Sequence, residues 1–160
     1  EPGPKYIRIE KGILPPIYGK GHDFSKGFEV LKPGHDLMII TTGFLVHQVL
    51  QLANELSKNS LEVGVIDLYR IKPVNQELLP VLNGTKRILT LEEHSIIGGI
   101  GSLISEMLAD SGKIFLLKRI GLPDQHSYEY GNREWMQERL GLGLKTICKE
   151  ILAWFENVPR

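Results

Sequence analysis

Glu92, Glu93 and His94 stand side by side in the middle of the chain and are its first candidates for chemistry. They follow a mostly apolar run, residues 88–91, that predicts a buried strand. In open α/β sheets, ligands bind beyond the carboxyl ends of such strands. A carboxylate next to an imidazole can perform acid–base chemistry there, so Glu93 and His94 are candidates for the edge of a site. The alternative is a surface cluster that caps the following turn or pairs with a Lys or Arg across an interface.

A glycine cluster, Gly98, Gly99 and Gly101, follows these residues and precedes a helical pattern. The order strand, tight turn, helix places free N–H groups and a positive dipole end behind the glycines, which makes a possible anion site. The cluster reads GGIG rather than G-x-G-x-x-G, and it follows the third core strand rather than the first. A glycine turn that packs helix against strand is therefore favoured over a dinucleotide site.

Two groups of cations could hold a phosphate. Arg8 and Lys11 lie in and just after a predicted short strand, residues 5–9. Arg70 and Lys72 follow another strand, where pairing with nearby carboxylates is an equally good explanation. The sequence has no zinc-type histidine or cysteine spacing and no G-x-S-x-G elbow, so we assign no metal ligand and no catalytic residue.

Strand and helix patterns alternate from residue 28 onward. Strands are predicted at 28–31, 37–41, 61–68, 87–91 and 114–117, and helices at 45–58, 75–82, 101–109, 132–140 and 144–155. Asn75 is the predicted N-cap of the second helix. This alternation predicts a three-layer α/β/α domain with a mostly parallel sheet and helices on both faces, from about residue 28 to 156. Residues 11–27, rich in glycine and proline, are predicted to be an extended linker.

Composition narrows the possible partners and compartment. The 160 residues suit one domain, and the 19 basic residues balance the 19 acidic ones. A chain without excess positive charge is a poor candidate for nucleic acid or a membrane surface, and no apolar run is long enough to span a bilayer. The single Cys148 cannot form an internal disulfide and fits a reducing compartment, so we expect a cytoplasmic protein.

Five blocks in order resemble the C-terminal domain of the transketolase family of thiamine-diphosphate enzymes. That family includes transketolases, 1-deoxy-xylulose-5-phosphate synthases and the β subunits of 2-oxo-acid dehydrogenases. The blocks are GPKYIRIEKG (3–12), DLMIITTGFLVHQVLQLANEL (36–56), VGVIDLYRIKPVN (63–75), ILTLEEHSIIGGIGSLISEML (88–108) and RIGLPDQHSYEYGNREWMQERLGL (119–142). Transketolase is favoured within the family, and the last block also resembles the synthases.

The resemblance implies a division into domains. Residues 1–27 would be the tail of the family's pyrimidine-binding domain plus a linker, and residues 28–160 the transketolase C-terminal domain. We therefore expect a piece of a longer protein, in which residues 1–27 lie extended over the domain or are partly mobile.

The resemblance also implies where the chemistry lies. In the family, other domains hold thiamine diphosphate and Mg²⁺ and supply the activating glutamate, so no cofactor is expected for this chain alone. A family arginine that binds the sugar phosphate corresponds to Lys11, with Arg8 nearby; lysine keeps the charge and loses the bidentate fork.

The predicted function is that of a dimer-supporting domain in an enzyme of carbohydrate metabolism. The whole enzyme would transfer two-carbon ketol units between sugars, and this domain would not be catalytic alone. Its partners would be the missing cofactor-binding domains or subunit and a second copy in a homodimer. The alternatives are a stand-alone module of the same fold that binds a small anion and one that only supports assembly.

Overall fold

The computed structural model describes residues 2–7, 9 and 12–157, and its centre is a five-stranded sheet with the strand order β1-β3-β2-β4-β5. The strands are β1 (Glu29–Lys32), β2 (Leu37–Thr41), β3 (Val63–Asp67), β4 (Arg87–Ser95) and β5 (Leu116–Leu122). Strand β1 is antiparallel to β3, and the other pairings are parallel.

The described residues also form five α-helices, of which the first three connect strands and the last two follow β5, and one short 3-10 helix ahead of β1. They are α1 (Leu45–Ser57), α2 (Leu78–Leu82), α3 (Ile100–Asp110), α4 (Arg133–Arg139) and α5 (Leu144–Asn157), with the 3-10 turn at Phe24–Lys26. Among the described residues, no helix has the length and apolarity needed to cross a membrane.

Strand β2 divides the core between the two faces of the sheet. Leu37 and Ile39 pack with apolar residues of α1 and α5, whereas Met38 and Ile40 pack with those of α2 and α3. All five residues of β2 are buried, as expected for a parallel strand covered on both sides. The predicted three-layer α/β/α class is thereby confirmed.

Strand β4 is longer than predicted and continues through Glu92, Glu93 and His94 to Ser95. Its register against β5 shifts between Leu91 and Ser95, so four residues of β4 advance against two of β5. The sequence predicts that the strand ends where these polar residues begin. The strand accommodates them because the extra residues form an irregular stretch of the ladder.

Three further predictions were wrong. Strand β5 begins at Leu116 rather than at residue 114, and Ile114 is almost fully exposed. Asn75 does not cap α2: its side chain accepts from the backbone N–H of Glu77, which makes a turn ahead of the helix. The described part of the predicted strand at 5–9 forms no strand, since an isolated strand has no ladder to join.

Candidate functional site

The topology places a crevice at the carboxyl ends of β2 and β4. The chain leaves β2 towards β3 on one side and returns past β2 to β4 on the other, so these two strands flank the point where the winding reverses. Open α/β folds bind ligands at such a point. A groove of about 1140 Å³ opens there, bordered by Phe44 before α1, Glu93 and His94 of β4, Ile97 before α3 and Arg133 of α4.

Glu92 closes the amino end of α3 from inside the protein. Its side chain is 3% exposed, and its Oε2 and Oε1 accept from the backbone N–H groups of Ile100 at 2.9 Å and Gly101 at 3.0 Å. A carboxylate in this position satisfies two unpaired helix donors and complements the helix dipole. The N–H groups predicted to form a possible anion site are thus already bonded to Glu92.

The glycines make room for this buried carboxylate. A Cβ atom on Gly99 would overlap the Glu92 carboxylate, and one on Gly121 would lie 2.9 Å from Glu92 Cγ. A Cβ on Gly101 would lie 2.8 Å from Thr90 Oγ1. The cluster therefore packs helix against strand, the interpretation favoured over dinucleotide binding.

A hydrogen-bond network that starts at Glu93 of β4 and continues through α4 to α1 lines one wall of the groove. Its Oε1 accepts from Gln137 Nε2 at 2.6 Å and lies 3.2 Å from Arg133 Nε. Gln137 Oε1 in turn accepts from Gln48 Nε2 of α1 at 2.9 Å, and the Arg133 guanidinium lies 4.0 Å from the centre of the Phe44 ring. Sequence analysis missed the two glutamines, because nothing in the local pattern links positions so far apart.

His94 is exposed at the groove and does not form the acid–base pair considered from sequence. In the described part of the chain, no hydrogen bond or ion pair joins its imidazole to Glu92 or Glu93. The two acids are instead used by the α3 amides and by Gln137 and Arg133. The alternative interpretation, in which the cluster caps the following turn, is correct for Glu92.

The candidate phosphate-binding cations are placed differently. Lys72 lines the groove. The Arg70 guanidinium packs against Gly27, where an added Cβ would lie 2.9 Å from Nε, so its side chain covers the linker. Lys11 and Arg8 lie outside the described residues, and their role remains a prediction.

The residues at this edge do not fit a diphosphate or a magnesium ion. The first amides of α3 are bonded to Glu92. Within residues 2–7, 9 and 12–157, no group of three His, Cys, Asp or Glu side chains is arranged to hold a metal ion.

A second polar site, missed by sequence analysis, lies at the end of β3. Asp67 is 5% exposed, and its Oδ2 accepts from the Tyr18 hydroxyl at 2.6 Å. Its Oδ1 is buried and has no hydrogen-bond partner within the described part of the chain. Burial raises the pKa of the Asp67 carboxyl, and the bond from Tyr18 only partly opposes this. Burial and the bond to Asp67 raise the pKa of the Tyr18 phenol, so its hydroxyl is protonated and donates at neutral pH.

The raised pKa of Asp67 predicts that Asp67→Asn stabilises the domain at neutral pH. Because the folded state holds this proton more tightly than the unfolded chain, the contribution of Asp67 to stability falls as the pH rises above the unfolded pKa of about 3.9. The Asp67→Asn variant has no carboxyl group to ionise, so its stability does not fall with pH for this reason. Urea unfolding should give similar stabilities near pH 4 and a more stable variant at pH 7.

Asp36→Asn is the matched control, with the opposite sign. Lys86 and the Glu62 N–H bind the Asp36 carboxylate and lower its pKa. That variant should therefore lose stability at pH 7 and not at low pH. An Asp67→Asn variant less stable than the parent at pH 7 would contradict the prediction.

Comparison with known proteins identifies the family. The pattern described as "Transketolase, C-terminal domain" matches residues 27–147. An apulose-4-phosphate transketolase subunit of Actinobacillus succinogenes is 32% identical over 153 residues, which cover 94% of this chain and 49% of that protein. The 1-deoxy-D-xylulose-5-phosphate synthase of Crocosphaera subtropica is 33% identical over 153 residues, covering 95% of this chain and 23% of that protein.

A solved structure agrees with these matches. A split-gene transketolase, described as an inactive beta4 tetramer, superposes with a TM-score of 0.78 at 26% identity, covering 88% of this chain and 46% of that chain. The fold and its crevice define a doubly wound α/β domain. The chain belongs to the transketolase family, where it corresponds to the C-terminal domain. It spans about half the length of the apulose-4-phosphate transketolase subunit and about a quarter of the synthase.

Proposed function

We propose that this chain is the C-terminal domain of a thiamine-diphosphate-dependent enzyme that transfers two-carbon ketol units between sugars. The observation that supports this most strongly is the family match over residues 27–147, together with a relative named as a transketolase subunit. The transketolase subunit and the synthase are both longer than this chain, which leaves room for the domains that bind the cofactor.

In this proposal the described residues do not themselves hold the cofactor. Thiamine diphosphate and Mg²⁺ are held by other domains or another subunit, and the bound cofactor supplies the carbon nucleophile. The residues of this chain border the site: the network of Glu93, Gln137 and Arg133 keeps one wall of the groove rigid against α1 and α4. Lys11, with Arg8, binds the phosphate of the sugar.

Assembly is part of the same proposal. The groove faces the cofactor-binding domains or subunit, and the domain supports a homodimer. The two alternative functions predict different behaviour. A small-anion module should bind phosphate by itself, although Glu92 already bonds the N–H groups of Ile100 and Gly101, and a pure assembly module should dimerise and leave sugar chemistry unaffected.

A transfer assay tests the proposal. The full-length protein that contains this chain, with any co-purifying subunit, is loaded with thiamine diphosphate and Mg²⁺ and supplied with ketose donors and aldose acceptors. We expect two-carbon transfer by that assembly and none by the 160-residue chain. Absence of transfer by the loaded assembly across phosphorylated and free ketose donors would overturn the proposal.

A further inference from the structure

The segment before the family domain, residues 18–28, folds back onto the end of β3, and we refer to it as the strap. Three of its rings pack with Tyr69, which follows β3. Tyr18 stacks on His22 with ring centres 4.3 Å apart, and Phe24 meets Tyr69 edge-on at 5.1 Å. The family match begins at residue 27, so almost all of the strap precedes it.

Hydrogen bonds also hold the strap to the loop after β3. The Arg70 N–H donates to Gly27 O at 2.9 Å, and Asn75 Nδ2 donates to Lys26 O at 2.9 Å. The Tyr69 hydroxyl donates to Phe28 O at 3.2 Å. These bonds all lie at the carboxyl end of the strap.

At its amino end, the strap is joined to the sheet by the bond from the Tyr18 hydroxyl to Asp67. Asp67 belongs to the sheet and is 5% exposed, so this bond ties the start of the strap to a buried group. Ahead of Tyr18, Ile13 is fully exposed and Tyr6 is 91% exposed, whereas Ile17 is half-buried. Packing of the chain against the domain therefore begins close to Tyr18.

The rings of Tyr18, His22 and Phe24 also pack on one another and on Tyr69 at this end, but they remain partly open to solvent. The 3-10 turn Phe24–Lys26 has no buried residue, and Phe24 itself is half exposed. Phe28 anchors the carboxyl end of the strap in the core, whereas the partly exposed amino end depends more on its specific bonds. If Tyr18 were released, the residues from Tyr18 to Asp23, ahead of the contacts at Phe24 to Phe28, would behave as a short tether with a spread of about 13 Å, from roughly 5–6 Å times the square root of its length.

We propose that Tyr18 and Asp67 form a latch that sets the direction in which the preceding domain leaves this one, and that both are positioning residues for the assembled enzyme. This rests on the proposed function, which places the pyrimidine-binding domain before the strap. With the latch closed, that domain meets the groove in one orientation. With it open, the amino end of the strap becomes a flexible tether and the groove loses its alignment with that domain.

The first test uses the 160-residue chain and needs no enzyme activity. Spin labels on Lys20→Cys and Asp110→Cys, in a Cys148→Ser background, report the distance from the strap to the end of α3; both label positions are exposed. We expect a narrow distribution that broadens by about 10 Å in Tyr18→Phe, because the label would then lie on a free tether of about four residues ahead of Phe24. An unchanged distribution would overturn the latch.

Two matched variants identify the bond responsible. Tyr128→Phe makes the same chemical change at a tyrosine that is 96% exposed and should leave the distribution narrow. In an Asp67→Ala background, Tyr18→Phe should add no further broadening, because the hydroxyl has no carboxylate left to bond. Additional broadening in that background would show that Asp67 is not the partner that matters.

The second test uses the full-length holoenzyme. Tyr18→Phe should lower kcat/KM by about tenfold, since small misplacements of the site are costly, while amides of β2 keep their exchange rates. A mobile strap with unchanged kcat/KM would overturn the positioning role. If the parent enzyme shows no sugar chemistry, the proposed function fails, and the spin-label result still decides the latch.

Discussion

Replacing Glu92 by alanine should lower the free energy of unfolding by about 3 kcal/mol or more. The change removes two charge-assisted hydrogen bonds, to the N–H groups of Ile100 and Gly101, each of a kind that contributes about 1.5–3 kcal/mol. The site is buried, so bulk water does not replace the lost acceptor. The free energy of unfolding of Glu92→Gln should lie between those of the parent and of Glu92→Ala. Its amide oxygen still accepts one bond, while its NH₂ group faces the other N–H donor.

Urea unfolding at pH 7 measures this effect. Glu106→Gln is the control, since Glu106 lines the same groove and is exposed, and it should stay within about 0.5 kcal/mol of the parent. A Glu92→Ala variant as stable as that control would mean that the carboxylate contributes nothing to the start of α3.

The second large effect is expected at Gly99. Its backbone is extended, with φ of −86° and ψ of −164°, so alanine fits the backbone and the cost is steric. The new methyl group would overlap the Glu92 carboxylate, and we expect Gly99→Ala to destabilise the domain by about 1–3 kcal/mol. Urea unfolding of the single variant gives the value.

A double variant separates this cause from a general effect on the turn. With Glu92→Ala, the group that the methyl would meet is absent. The double variant should therefore lose clearly less stability than the sum of the two single changes. Additive losses would contradict a direct clash between position 99 and Glu92.

The sequence was most informative where burial is continuous. The run LMIIT predicted β2 with its observed ends, because a parallel strand covered on both faces needs apolar residues throughout. Helix α5 was likewise predicted to begin at its observed first residue, Leu144. The turn after β4 was predicted from its glycines. The structure shows that Gly99 has to be small because a Cβ there would overlap the Glu92 carboxylate.

The site was less predictable because its contacts join distant residues. Glu92 bonds amides eight and nine positions later, and the sequence could suggest only that some acid caps the next turn. The bond from Tyr18 to Asp67 spans 49 positions, and that from Gln48 to Gln137 spans 89. Local periodicity has no means of pairing such residues, and the buried acids in particular look like surface residues in the sequence.

The intact mass of the native protein tests most directly whether this chain is one domain of a larger thiamine-diphosphate enzyme. An antibody against the domain would capture the protein from its source cells, and mass spectrometry would be run under both native and denaturing conditions. We predict a polypeptide, or a complex with a cofactor-binding subunit, several times heavier than 18.0 kDa, with thiamine diphosphate in the native species. A free 18.0 kDa chain without partner or cofactor would contradict the account.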